Sequence, residues 1–213
     1  MRSAVAGLVA VLAPTVAGTA TAQSWSARGL LDRIRVERPA VGTDTTMALS
    51  GNLLGVRGAY SIGPVTLGAS YAQGSVSPAG GGTGTDVVDG ELILWVAPVQ
   101  WAALGLGPHA RAFVEDGGTE RWLLWELRAR TGTDIVRSRV RAYVEGWRVM
   151  GASVPSPDTL DHAWGLEGGV SVAFGRLPVS AQLHYRVEQQ VASGGTRKET
   201  QNRLGIGVGI GAR

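Results

Sequence analysis

Apolar and polar residues alternate with a period of two along most of the chain beyond residue 26. Successive side chains of a strand point to opposite faces, so this pattern predicts strands with one apolar and one polar face. Ten segments carry it: 27–38, 44–60, 64–77, 86–97, 100–114, 119–131, 134–152, 160–175, 178–192 and 197–212. The clearest is VSAQLHYRVEQQV at 179–191, where Val179, Ala181, Leu183, Tyr185 and Val187 alternate with Ser180, Gln182, His184, Arg186 and Glu188. None of the ten shows a convincing helical period. The fold class expected is all-β.

The connections fall into two kinds. Short turns with Gly, Pro or Asp are expected at 62–64, 97–100, 131–134 and 175–178. Longer or glycine-rich loops are expected at 38–43, 77–85, 115–119, 151–159 and 192–196. The two kinds alternate, so turns gather at one end of a meander and loops at the other. Nearly all prolines beyond residue 22 fall in connections. Pro108 lies inside a strand and predicts a bulge or break, because proline lacks a ladder donor.

Residues 1–22 are of another character. Arg2 precedes an apolar run from Ala4 to Ala13, too short to span a bilayer as a helix, and Ala20-Thr21-Ala22 is a small-residue cleavage site. This predicts a secretory signal peptide at 1–22 and one domain at 23–213. The chain has no cysteine, so no disulfide stabilises it. Of its basic residues only Lys198 is not arginine, and the net charge is +3. No basic cluster interleaves with aromatics, which argues against nucleic acid as a partner.

Two architectures fit the alternation. A soluble barrel turns its apolar face inward. A membrane barrel turns it to lipid and lines its lumen with the polar face. The apolar faces are long enough to cross a bilayer obliquely, and Tyr60, Trp95, Trp101 and Phe174 fall near strand ends, where interfacial girdles form. Glycine dominates several polar faces, leaving room in a narrow lumen. With its even strand number, short turns at one end and longer loops at the other, the chain resembles the small bacterial outer-membrane β-barrel proteins. The resemblance implies a closed antiparallel up-and-down transmembrane barrel, of ten strands or alternatively eight. It implies outer-membrane lipid and the outer-membrane insertion machinery as partners, in a Gram-negative-type envelope. Members of that group commonly end in an aromatic residue, whereas this chain ends Ile210-Gly211-Ala212-Arg213.

With the polar faces inward, a charged lumen is expected. Its members are Arg33, Arg35, Glu37, Asp89, Glu91, Arg111, Glu126, Arg128, Arg130, Arg137, Arg139, Arg141, Glu145, Glu167, His184, Arg186 and Glu188. A barrel of this size is just wide enough for side chains to fill it. Arginine forks can take the carboxylates bidentately. In the stretch VRSRVRAYVEGW at 136–147, Arg137, Arg139 and Arg141 alternate with apolar residues and would crowd near the turn end.

Catalytic signals are sparse. The strand number resembles that of the omptin proteases, which implies an acidic pair on one outer rim and an Asp with a His on the other. Asp86, Asp89, Asp161 and His162 occupy the corresponding loops in order, but at different spacings. A lipid-modifying barrel would need a rim residue such as His162. His109 and His184 fit hydrogen-bonding roles inside the lumen. No metal-ligand spacing, nucleotide loop or nucleophile motif is present, so no enzyme activity, metal or cofactor is expected. The reading is a structural or surface-display barrel with a closed lumen. A narrow, anion-preferring pore is the alternative, and a soluble periplasmic ligand-binding barrel a third.

Overall fold

The computed structural model describes residues 23–39, 46–115, 118–136, 139–153, 159–174, 177–192 and 197–212. The expected signal peptide lies outside them, as does Arg137. Ten strands occur: β1 (Gln23–Pro39), β2 (Thr46–Ile62), β3 (Val65–Pro78), β4 (Thr85–Val99), β5 (Ala102–Glu115), β6 (Gly118–Val136), β7 (Val140–Ser153), β8 (Leu160–Ala173), β9 (Val179–Ala192) and β10 (Arg197–Ala212). Each pairs antiparallel with its chain neighbours. β1 closes on β10, from Trp25↔Ala212 to Glu37↔Thr200. The fold is a closed ten-stranded antiparallel up-and-down barrel. Closure leaves no sheet edge unpaired, the condition for strands to cross lipid.

The outward face sets which way the barrel is turned. Leu54, Leu94, Leu106, Leu127, Leu183, Leu204 and Ile206 are all about half exposed and point away from the axis. They form one apolar belt. At the turn end the belt is bordered by Trp25, Tyr60, Trp101 and Phe174. At the loop end Tyr71, Trp125, Trp164 and Tyr185 border it. Tyr71 donates to Gln73 and Tyr185 to Asn202, both hydroxyls pointing to the polar side of the border. Along each strand the belt spans about nine residues, or roughly 20 Å of height at a 45° tilt. Trp95 is not part of either girdle. It is buried inside the barrel.

Several boundaries differ from expectation. Residues 131–134 do not turn: Thr131 pairs with Val144 and Asp134 with Arg141, and β6 runs on to Val136. β7 begins at Val140, and the Arg139 amide bonds the Val136 carbonyl. Alternation continues through Thr131, Thr133 and Ile135, and β-branched residues favour strand over turn. The stretch 136–147 therefore spans the end of β6 and the start of β7 and is not one strand. The β5–β6 connection spans only 116–117, so the loop end is not uniformly long-looped. Pro108 breaks the β4–β5 ladder without a bulge. Pairing is kept at Glu91↔His109 and Leu94↔Leu106 in the same register, with nothing between.

Candidate functional site

The interior is built in three tiers from the inward positions of the strands. The loop-end tier is apolar on its β1–β5 side, while Gln190, Glu199 and Gln201 are buried on its β9–β10 side, the Gln201 amide donating to Glu199 at 2.7 Å. Ile34 and Val36 from β1, Leu49 and Leu53 from β2, Val76 from β3, Val87 from β4 and Phe113 from β5 pack into one buried cluster. Ile34, Val36, Leu53, Val76 and Val87 are 0% exposed. Beside them Trp122 and Leu124 of β6 pack with Ala192 of β9 in a second cluster. Where a polar interior is expected, the β1–β6 side of this tier is packed with hydrocarbon.

The middle tier is a charged network. Asp89 Oδ2 accepts from Arg111 Nε at 2.8 Å and from Arg203 Nη2 at 2.7 Å. His109 lies between Asp89 and Glu126, at 3.2 and 2.7 Å. Arg128 reaches three carboxylates: Glu126 through Nε at 2.8 Å, Glu145 through Nη1 at 2.8 Å and Glu91 through Nη2 at 2.9 Å. Arg186 bonds Glu91 at 2.6 Å and Glu188 at 2.5 Å. Arg111 closes the circuit on Glu188 at 2.6 Å. Arg57 grips Glu167 with both terminal nitrogens, at 3.1 and 3.4 Å. The Trp147 ring centre lies 4.8 Å from the Arg128 guanidinium carbon and 4.5 Å from that of Arg186, within cation–π range. Charges confined this way are costly to desolvate, and the multiple charge-assisted bonds offset that cost.

Glycines make this crowding possible, but through their cross-strand partners and not the opposite wall. A Cβ on Gly165 would meet the Trp147 ring at 2.2 Å, and one on Gly105 the Trp95 ring at 2.7 Å. Trp147↔Gly165 and Trp95↔Gly105 are direct pairs. Each tryptophan lies over the neighbouring strand where a side chain would otherwise stand.

The third tier is a cavity of about 480 Å³ at the turn end. Arg28, Arg57, Arg128, Arg130, Arg141, Glu91, Glu145, Trp95, Tyr143 and Gln182 line it, together with Ser61, Thr66, Gly68 and Ser70 of β2 and β3. Arg130 bonds Glu145 through Nε at 2.8 Å and lies 4.3 Å from the Trp95 ring centre. Tyr143 donates to Glu167 at 2.6 Å and accepts from Gln182 at 2.5 Å.

The structure thus brings Asp89, Glu91, Arg111, Glu126, Arg128, Glu145, Glu167, Arg186 and Glu188 into one network, with Arg130 at its lower edge. His184 is buried against Asp32, Nε2 3.3 Å from Oδ1. Arg141 lines the cavity but is exposed. Four members of the expected lumen are placed otherwise. Arg33 and Arg35 are exposed on the outer face and Glu37 shares that face, paired to Arg35 at 2.8 Å. Leu30, Asp32, Ile34 and Val36 hold the inward positions of β1. The outer face here lies beyond the apolar belt, beside Asn52 and Asn202, where charge is solvated. Arg139 is exposed in the β6–β7 turn. Arg28, Asp32 and Arg57 were missed. Their signal was present in the turn half of β1 and β2, where Trp25, Ala27, Leu31, Leu54 and Val56 are the lipid-facing parity.

Asp89, Glu91 and His109 present ligand atoms close enough for a metal ion. Four guanidiniums already take the two carboxylates, from Arg111, Arg203, Arg128 and Arg186. Asp86 and Asp89 point to opposite faces, the first exposed and the second in the network. Asp161 and His162 are both exposed, at a β8–β9 register shift. The acidic pair of the omptin pattern is not assembled.

No protein-family model matches the chain, and no curated protein matches it. Solved structures do. Neisserial surface protein A shares 14% identity over 86% of this chain and 96% of its own, with a TM-score of 0.46. An outer membrane channel from Pseudomonas putida F1 shares 11% over 88% and 95%, at 0.47. The translocator domain of autotransporter NalP from Neisseria meningitidis shares 13% over 86% and 87%, at 0.43. These neighbours are outer-membrane β-barrel proteins.

Proposed function

We propose that the chain is an integral outer-membrane barrel with a sealed lumen and a structural or surface-display role, exported by a cleaved signal peptide. The observation that carries this is the apolar tier. Ile34, Leu53, Val76 and Val87 are fully buried in the loop-end half, with Gln190, Glu199 and Gln201 buried beside them, above a network whose guanidiniums are held by carboxylates. A conducting lumen needs a continuous wetted path, and an interior filled by buried side chains at this end disfavours one. The outward apolar belt and its two aromatic borders favour lipid over a soluble barrel as the surroundings. Purified protein in planar bilayers should be electrically silent. Steady single-channel steps would overturn the sealed reading and favour the narrow pore.

Orientation is tested separately. The loop between β3 and β4 holds Gly81 at a φ of +83°, exposed and beyond the belt. An epitope tag inserted at Gly81 should bind antibody on intact cells. A tag at Gln100, in the β4–β5 turn, should need permeabilised cells. The reverse pattern would place the turns outside.

A further inference from the structure

We propose that the turn-end cavity is a binding site for a small polyvalent oxyanion, a carboxylate or phosphate compound, entering from the turn-end mouth. The inference rests on the sealed reading, which makes the cavity a blind vestibule. At about 480 Å³ it is of the size that holds a small ligand.

The charge ledger of its wall points to an anion. Both lining carboxylates are already taken: Glu145 by Arg128 and Arg130, and Glu91 by Arg128 and Arg186. An entering cation would find no free carboxylate. Arg57 is satisfied by Glu167. Arg28 and Arg141 are different. Neither has a carboxylate within salt-bridge reach among the described residues. Arg28 donates Nη1 to the neutral Gln182 Oε1, and its Nε is buried without an acceptor. A half-buried guanidinium without a counter-charge is unfavourable, and an oxyanion meeting its fork would supply one.

The adjoining wall of β2 and β3 suits the same ligand. Ser61 and Thr66 share a hydrogen bond of 2.7 Å at the mouth, and Gly68 keeps the wall low. Arg130, held by the Trp95 ring and Glu145, is fixed and not a mobile surface charge. The site therefore offers guanidiniums and, beside them on β2 and β3, hydroxyls, a combination that suits an oxyanion better than a simple halide.

Calorimetric titration of the full protein in neutral detergent micelles tests this, with citrate and inorganic phosphate as probes. Sodium chloride at matched ionic strength and choline are the controls. Saturable binding near one to one is expected for citrate or phosphate and not for the controls. Arg28→Gln should weaken it at least tenfold. Thr66→Trp, which fills the cavity without removing a charge, should do the same, so the test stands even if Arg28→Gln does not fold. Arg33→Gln, on the outer face, should leave binding unchanged. No saturable heat with either probe, or binding that survives Thr66→Trp, would overturn the proposal. Because binding is read in micelles, its failure is separate from conductance in bilayers, which bears on the sealed lumen alone.

Discussion

Replacing Leu183 with arginine should cost the barrel about 2–4 kcal/mol of folding stability, the penalty of a guanidinium at the bilayer midplane. Leu183 lies mid-belt, paired with Ile206 of β10 and Val170 of β8, all three facing out. No carboxylate on the outer face of these neighbours can meet the charge, and lipid offers no hydrogen bonds. Ser61→Arg is the comparison. It places the same side chain on the inner face at the open mouth, and the loss there should stay under about 1 kcal/mol, within the usual range for solvated substitutions. Gln182 also faces inward but is held between Arg28 and Tyr143, so an arginine there would meet a second guanidinium. Urea titration of refolding into liposomes reads both variants. Equal losses would mean that the half-exposed leucines do not face lipid.

Most of the barrel is legible in the sequence because a membrane barrel imposes one rule on every strand: within the belt, every second residue is apolar. β9 shows it without ambiguity, since Leu183, Tyr185 and Val187 face out and His184, Arg186 and Glu188 in. β1 shows where the rule ends. Its charged residues Arg33, Arg35 and Glu37 share one parity, which reads as a lumen face if all polar faces are taken inward. The strand is 17 residues long and outruns the belt. Beyond the belt the outside is wet and the inward residues of β1 join the apolar cluster, so polarity reverses while parity does not. Only the turn half, with Trp25, Ala27 and Leu31 outward, fixes the facing. The β6–β7 turn was hidden for a local reason. Thr131-Gly132-Thr133-Asp134 contains turn residues, but the hairpin is extended past it by Ile135 and Val136, with a register shift between Asp134 and Val136. Ion-pair partners are less legible. Arg203 and Asp89 are 114 positions apart and meet across the closed barrel, a pairing that depends on closure and not on any local pattern.

That pairing gives the second large effect. Asp89→Ala should destabilise the barrel by about 3–5 kcal/mol, the cost of leaving a buried charge without its partner. Asp89 Oδ2 takes hydrogen bonds from Arg111 and Arg203 and faces His109. Without it, Arg111 keeps Glu188 and His109 keeps Glu126. Among the described residues, the one hydrogen bond left to Arg203 is to the neutral Gln201 Oε1, at 3.4 Å. The damage should therefore concentrate on one guanidinium, and deleting that guanidinium should repair it. Arg203→Met alone should cost less than Asp89→Ala, because Asp89 retains two donors. The double variant Asp89→Ala with Arg203→Met should lose less than the sum of the two single losses by about 2 kcal/mol, a coupling of the size contacting residues show. The same liposome refolding titration measures the whole cycle. Strictly additive losses would mean that the two side chains do not share a buried contact, and that the middle tier is looser and wetter than a closed network of ion pairs. In bilayers the single variant should remain as silent as the parent, since the apolar tier above it is untouched. A leak from Asp89→Ala would instead make the charged tier the seal, and the plug of Ile34, Leu53 and Val87 permeable on its own.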